Sequence, residues 1–393
     1  MSAEVRAVDA ISWDGKTALL RVDFNTPMTN GKIADDSRIR ASVPTIQYIV
    51  QNGGGVVCLS HLGRPKHSAP EYSLRPAAER LSELCNMPVM FHPEFPANKP
   101  ETGEVWMLEN TRFNQGEKEN SPELAIQYAA LGDVFVLDAF AVSHRTECSL
   151  CALAEAAKDV CAGLLLRQEI DALSRLTENP ARPFVAIVGG GKISSKLSTL
   201  ERLCALADRI IVGGGIANTF FAGLDMPVGA SLVEDELRES ACKLIKQYGD
   251  KIVLPSDVVV AGEISATAKT RSLAVNDLSA IAEDEMIVDI GDNTRREYSD
   301  IIRQAGAVVW SGPLGAFEYP PFAGGTREIA EIAADSSAYS VVGGGDTLSA
   351  VTQFNVAEKF SYRSTGGSAF LAFLGGDSLP ALLSLQAASA RQR

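Results

Sequence analysis

Short apolar runs rich in β-branched residues alternate with amphipathic stretches of helical length along the whole chain, and this alternation constrains the fold more than any other feature. It implies an α/β protein with parallel sheets covered by helices on both faces, because a strand buried on both sides reads as a continuous apolar run. In the first half the expected strands are TALLRVDF, GVVCLS, EVWMLE and DVFVLD. Helices are expected at SRIRASVPTIQYIVQNG, which stops at a glycine, and at SPELAIQYAAL, with Ser121 as N-cap and Pro122 at the first helical position. The second half repeats the pattern with FVAIVGGG, RIIVGGG, KIVLP, EMIVDIG, AVVWSG and YSVVGGG.

At 393 residues the chain exceeds the size at which one core stops growing, so two Rossmann-like domains are expected. No linker of Gly/Ser or charge block separates them. The junction is expected in GLLLRQEIDALSRLTENP, giving a first domain over 1–164, a hinge helix over 165–178 and a second domain over 179–378. Apolar residues at 46% and charged residues at 22% suit an ordinary globular protein.

A net charge of −13 argues against nucleic acid or an anionic membrane as partner, so anionic ligands must be held by local basic clusters. There is no run of 18 apolar residues and no leader-like N-terminus, and a cytoplasmic location is expected. The seven cysteines suit buried free thiols; Cys148 and Cys151 have CxxC spacing, but no second pair completes a zinc set, and small core residues are the better reading.

Three strands of the second half run into the same tripeptide, at Val188 to Lys192, Val212 to Ile216 and Val342 to Asp346, and a fourth ends in SGPLGAFE. In a parallel sheet these loops emerge together at the carboxyl edge, where ligands bind. Bare N–H groups and helix N-termini there would cradle phosphate, although glycine also serves tight turns. A Walker A loop is excluded by Ala186 and Ile193, and a dinucleotide fingerprint by Asn218.

Lys192 and Lys196, four apart on a helix opening at the first loop, would share a face toward the anion or be a solvated helix face. Asp346 would hold Mg²⁺ bridging nucleotide phosphates, or cap the helix beginning DTLSA. Loops of the first half carry arginines instead: Arg21, Arg64, Arg112 and Arg145 at one sheet edge, with Arg38 on the following helix. Such a cluster matches a small molecule carrying carboxylate and phosphate, although any one arginine could serve a structural ion pair. Asp23 and Asn25 would meet hydroxyls, and His61 would donate to an oxygen or satisfy the loop backbone.

With RVDFNTP, SRIRASVP, SHLGRP, LENTRF, DAFAVSHR, VAIVGGGKISSK, IIVGGGIANTF, VVWSGPLGAFE, VVGGGDT and STGGSAFLAFLGGDSLP in order, the chain resembles the phosphoglycerate kinase family over nearly its whole length. The resemblance implies reversible phosphoryl transfer between 1,3-bisphosphoglycerate and ADP, giving 3-phosphoglycerate and ATP, by a monomer that needs Mg²⁺ with its nucleotide. It implies that Asp23, Asn25, Arg38, His61, Arg64, Arg112 and Arg145 bind phosphoglycerate. It further implies that Lys192, Lys196, Gly214, Glu318, Gly344, Gly345, Asp346 and Thr347 serve the nucleotide, with Asp346 on the metal. Charge stabilisation would fall to Arg38, Lys192, Gly344 and Gly345, and the tail 379–393 would return to the first domain. Departures from the family pattern stand at Leu137, Ala141, Ser195, Asp292, Ser311 and Ser368. The rival readings are an NAD-dependent oxidoreductase and a catalytically silent binding protein of the same fold.

Overall fold

The computed structural model describes residues 5–391. The chain forms two compact units: one runs to Asp171 and takes in the chain from Ser378 onward, and the other is Ala172–Asp377. The helix Leu164–Thr177 starts in the first unit and ends in the second.

In the first unit six strands form one parallel sheet in the order Val89–His92, Val105–Leu108, Gly55–Leu59, Thr17–Arg21, Val134–Leu137, Val160–Ala162. The central strands are buried at every position, which is why they read as unbroken apolar runs. Strand order reverses at Thr17–Arg21: its two neighbours are the strand of this sheet that follows it in the chain and one more than a hundred residues later. Arg21 is level with both Leu59 and Leu137, so the segments that follow these three strands leave the sheet side by side. A crevice at the carboxyl ends of such a reversal is where open α/β sheets bind ligands.

The helix Ser37–Gln51 buries Ile39, Ile46 and Ile49, spaced on one face, into a core with Val22, Phe24 and Val56. Each such side chain contributes roughly 1.5–3 kcal/mol of burial free energy. Helix Pro122–Ala129 begins as its sequence signals require, with Ser121 Oγ accepting from Leu124 N at 3.3 Å. The chain after Ser378 belongs to this unit, where Ala381 N donates to Ser143 O at 3.1 Å. Six of the seven cysteines are buried and all are free; burial pushes the Cys148 thiol up to about 12.

The second unit has a six-stranded parallel sheet in the order Ile252–Val253, Arg209–Val212, Phe184–Val188, Ala307–Ser311, Tyr339–Gly343, Tyr362–Ser364. Val188 is level with Val212 and Ser311, and Ser311 with Gly343, so all four glycine-bearing loops start from one edge.

One expected strand lies elsewhere. Met286–Ile290, within EMIVDIG, pairs antiparallel with Asp257–Ala261, which also pairs with Arg271–Ala274, in a separate three-stranded sheet. Between Asp257–Ala261 and Arg271–Ala274 the connection is shorter than the dozen or more residues that a parallel crossover needs, so these two strands form an antiparallel pair, to which Met286–Ile290 adds. Sequence periodicity also passed over Val89–His92, Val160–Ala162, Tyr362–Ser364 and the hairpin of Met28–Thr29 with Lys32–Ile33, all of them short or at sheet margins.

Asp289, in that small sheet, fastens it to the loop after Ser311 and to helix Gly324–Asp335. Its carboxylate accepts from Gly325 N at 2.7 Å, and a Cβ at Gly315 or Gly325 would lie 2.4 or 2.3 Å from Asp289 Oδ1. Burial raises its pKa to about 7, with the Gly325 and Ile290 N–H groups offsetting only part.

Two expectations follow. Ser121→Ala should cost about 1 kcal/mol, read as a lower urea midpoint at unchanged slope. Asp289 has a folded pKa above its unfolded value, so its stabilising contribution is full in acid and is lost as pH rises from about 4 to about 7. Wild type should therefore lose stability relative to Asp289→Asn across that window, by up to about 1.4 kcal/mol per pH unit; a gap independent of pH would rule the titration out.

Candidate active site

In the first unit the segments after the strands bring the expected basic residues together. Arg21 ends its strand with a fully buried guanidinium, whose Nε donates to Ser149 Oγ at 2.8 Å while Ser149 Oγ donates to Glu117 Oε1 at 2.5 Å. Burial lowers the Arg21 pKa and raises that of Glu117, and each partly offsets the other's shift. Arg21 NH2 lies 3.4 Å from His61 Nδ1.

Arg38, in the first turn of Ser37–Gln51, donates to Asp23 Oδ2 at 2.5 Å. Asn25 Oδ1 accepts from Gly63 N at 2.8 Å, and Gly63 O accepts from Arg112 NH1 at 2.5 Å. Gly63 has φ +62° and its missing Cβ would fall 2.5 Å from the Tyr72 ring, so only glycine permits this turn. Glu147 Oε1 takes Arg112 at 2.6 Å and Arg145 at 3.4 Å. Burial would raise the Glu147 pKa, but the hydrogen bond and charge of Arg112, with Arg21 and Arg145, hold it below the usual range. Arg64 is exposed beside this turn.

His61 is fully buried. Burial and the surrounding Arg21, Arg112, Arg145 and Arg38 push its pKa well below the usual value, so the ring is neutral. With Arg21 donating toward Nδ1, the proton is assigned to Nε2, which is buried and has no partner. The side chain bonds no loop backbone among the described residues.

In the second unit the glycines divide into two kinds. Gly189, Gly213, Gly214 and Gly215 are demanded by packing: a Cβ would lie 2.2 Å from Pro313 O, 2.5 Å from the Leu314 side chain, 2.9 Å from Gly190 O and 2.6 Å from Gly191 O respectively. Gly214 N already donates to Leu314 O at 3.0 Å, so Gly214 offers a ligand only its bare Cα face. Beside it a small apolar recess is lined by Ala217, Phe221, Val258 and Leu314. The loop Gly344–Gly345 is different: a Cβ at Gly344 would meet only hydroxyls at 3.5 Å and one at Gly345 nothing, while Gly344 has φ +95°. Open N–H groups here open the helix Gly345–Gln353, whose first turn is an anion site by construction.

Two expectations about this unit are corrected. The first glycine loop does not open a helix: Leu197–Leu206 begins only after Lys196, which has extended φ, so Lys192 and Lys196 do not share a helical face. Lys192 is exposed, whereas Lys196 Nζ turns inward to Gly189 O at 2.6 Å and Ser311 O at 3.0 Å, stapling two strand ends. Burial lowers its pKa to about 8, with Asp346 opposing. Asp346 does not cap its helix either, because Gly344 is the N-cap. Its exposed carboxylate has no hydrogen bond or ion pair among the described residues. Thr347 Oγ1 accepts from Gly312 N at 2.7 Å, joining two loops, and Glu318 is exposed after the Ser311 loop.

Most departures from the family pattern have a clear place in the structure, and two of them, Ser195 and Ser311, bond the site lysines. Ser195 Oγ donates to Lys192 O, Asp292 pairs with Arg295, Ser368 starts the helix Ser368–Gly375, Ser311 serves through its carbonyl, and Leu137 is core. Sequence reasoning missed the acids that organise the arginines, Glu117 and Glu147, and the loop clamp Asn110, which binds Leu62 O and Tyr72 O. Glu147 sits two residues after Arg145, yet nothing local marks it as buried.

Comparison with known proteins agrees with this arrangement. Residues 8–377 match the family described as phosphoglycerate kinase. Among solved structures, the phosphoglycerate kinase of Coxiella burnetii is 43% identical with a TM-score of 0.90, covering 97% of this chain and 98% of that one. That of Pyrococcus horikoshii OT3 is 30% identical with a TM-score of 0.86, covering 99% and 100%. Two parallel sheets with level loop edges, one edge arginine-rich and one glycine-rich, thus belong to a phosphotransferase, and the chain is a member of the phosphoglycerate kinase family.

Proposed function

We propose that the chain moves a phosphoryl group reversibly from 1,3-bisphosphoglycerate to ADP, with the arginine site of the first unit taking the phosphoglycerate and the glycine loops of the second taking the nucleotide. The observation that carries this reading is the neutral His61 with an unpartnered Nε2 donor inside a ring of guanidiniums, a site fitted to hydroxyls and anionic oxygens together. Arg112 and Arg145, preoriented by Glu147, bind carboxylate or phosphate; Asp23 and Asn25 meet the hydroxyl; Arg64 adds charge at the rim. On the nucleotide side the N–H groups of Gly344 and Gly345 face the phosphates, Glu318 the ribose, and the recess at Gly214 the base. Lys196 and Thr347 fix the loops and keep at most one donor each for the ligand.

In the transfer an ADP oxygen forms the new bond to phosphorus as the acyl oxygen leaves as a carboxylate, so no protein nucleophile is needed. The transition state spreads charge over three equatorial oxygens, and Arg38 and Lys192 neutralise it with the Gly344 and Gly345 N–H groups. These groups belong to different units, so transfer requires closure about Leu164–Thr177, which also keeps water from the acyl phosphate.

Mg²⁺ fits the donor chemistry at Asp346: one hard, unpartnered carboxylate suits an ion that takes its other oxygens from nucleotide phosphates and water. Among the described residues no three His, Cys, Asp or Glu side chains cluster to bind a metal alone. When bound, the ion supplies neutralisation of phosphate charge. We place the enzyme in the cytoplasm as a monomer acting on small molecules; no single described helix is long and apolar enough to cross a membrane.

A coupled assay of ATP formation from 1,3-bisphosphoglycerate and ADP tests the whole reading; no product would leave the silent binding protein, and retention on immobilised NAD but not ADP would favour the oxidoreductase. Arg38→Ala should lower kcat by about 10²-fold while ADP affinity stays within about twofold, and an unchanged kcat would remove Arg38 from the reacting groups. Asp346→Asn should raise the magnesium concentration needed for half-maximal rate, whereas a titration identical to wild type would exclude the ligand role.

A further inference from the structure

The helix Leu164–Thr177 is preceded by Gly163, which has no side chain to cap it. Its first N–H groups are instead taken by residues from elsewhere in the chain. Leu164 N donates to Thr45 Oγ1 at 3.1 Å and Leu166 N to Asp138 Oδ1 at 3.0 Å. Both capping side chains are fully buried. Two of the donors that a helix start leaves open are thus closed by side chains from elsewhere in the chain. Gly163 is itself required, since a Cβ there would stand 2.2 Å from Asp138 Oδ1.

The two caps come from two arms of the arginine site. Thr45 lies on helix Ser37–Gln51 seven residues after Arg38, two turns along the same face. Asp138 opens the run that ends in Arg145, and its own N–H donates to Arg21 O at 2.9 Å. Packed helices and buried loops move as bodies rather than deform, so a pull on Arg38 or Arg145 is delivered at the helix start. That helix then passes from one unit into the other at Asp171 and Ala172.

We infer that Thr45 and Asp138 are positioning residues for the transfer, coupling an anion held by Arg38 and Arg145 to the first turn of the helix that joins the units. This rests on the phosphoglycerate reading of those arginines. The side chains touch no substrate; they act through the capped turn, and one carboxylate oxygen of Asp138 remains buried without a partner, so the group is held by this cap alone.

Hydrogen exchange at the Leu164–Leu166 amides, with and without 3-phosphoglycerate, tests it alongside steady-state kinetics on the full chain. In wild type the ligand should slow exchange there. Thr45→Val keeps the shape but loses the acceptor, and should abolish that response and lower kcat at least about fivefold, the lower end of ordinary coupling between sites, with 3-phosphoglycerate Kd within about twofold. Thr45→Ser should restore both. Should Thr45→Val fail to fold, Asp138→Ala, which removes the oxygen that accepts from Leu166 N, carries the same comparison. Wild-type kcat in the variant, amides indifferent to ligand in wild type, or a Kd weakened as much as kcat would each overturn the inference. Failure of wild type to make ATP would sink the proposed activity instead, with the amide response still readable.

Discussion

A guanidinium withdrawn from water is tolerated only where acceptors and opposite charge go with it, and the first unit is arranged around that constraint. Arg21 is fully buried, and its compensation is not a direct ion pair but the Val22 carbonyl and the hydroxyl of Ser149 backed by Glu117. Arg112 and Arg145 share Glu147, and Arg38 has Asp23. These acids arrive on loops far apart in sequence, so satisfying the arginines also fixes where the loops lie. Rigidity of the site and burial of its charge are one problem with one solution, and burial together with the surplus of positive charge keeps His61 neutral.

The second unit meets a steric constraint instead. Loops leaving adjacent parallel strands at the same level must pass within van der Waals range of one another, and Gly189, Gly213, Gly214 and Gly215 let them do so. Lys196 then bridges two of the strand ends through their carbonyls. Gly344 and Gly345 face open space while Gly343 before them packs on Phe370, so tripeptides that look alike in sequence differ in their surroundings.

The sheets, their level edges and the arginine set were legible because each depends on local pattern: continuous apolar runs, turn residues and the chemistry of a side chain after a strand. Ser121 is a clear case, since an N-cap is decided within three residues. Met286–Ile290 was misplaced because a strand's own composition does not say which sheet it joins. The inward turn of Lys196 was invisible for a similar reason, being set by carbonyls of two other strands. Glu117, Glu147 and Asp138 carry no local mark at all: an acid reads as surface until the fold supplies the arginine, serine or helix start that makes burial tolerable.

The return of the chain from Ser378 to the first unit has a consequence for how the protein is made. Domains emerging from a ribosome tend to fold in order from the N-terminus, yet here the earlier unit lacks its last helix, Pro380–Ala390, with buried Leu382 and Leu385, until all of the later unit has been synthesised. The nascent first unit therefore waits with an uncovered apolar seam beside Ala152–Ala156 and Val160–Ala162, and translation of the second unit sets the length of that wait.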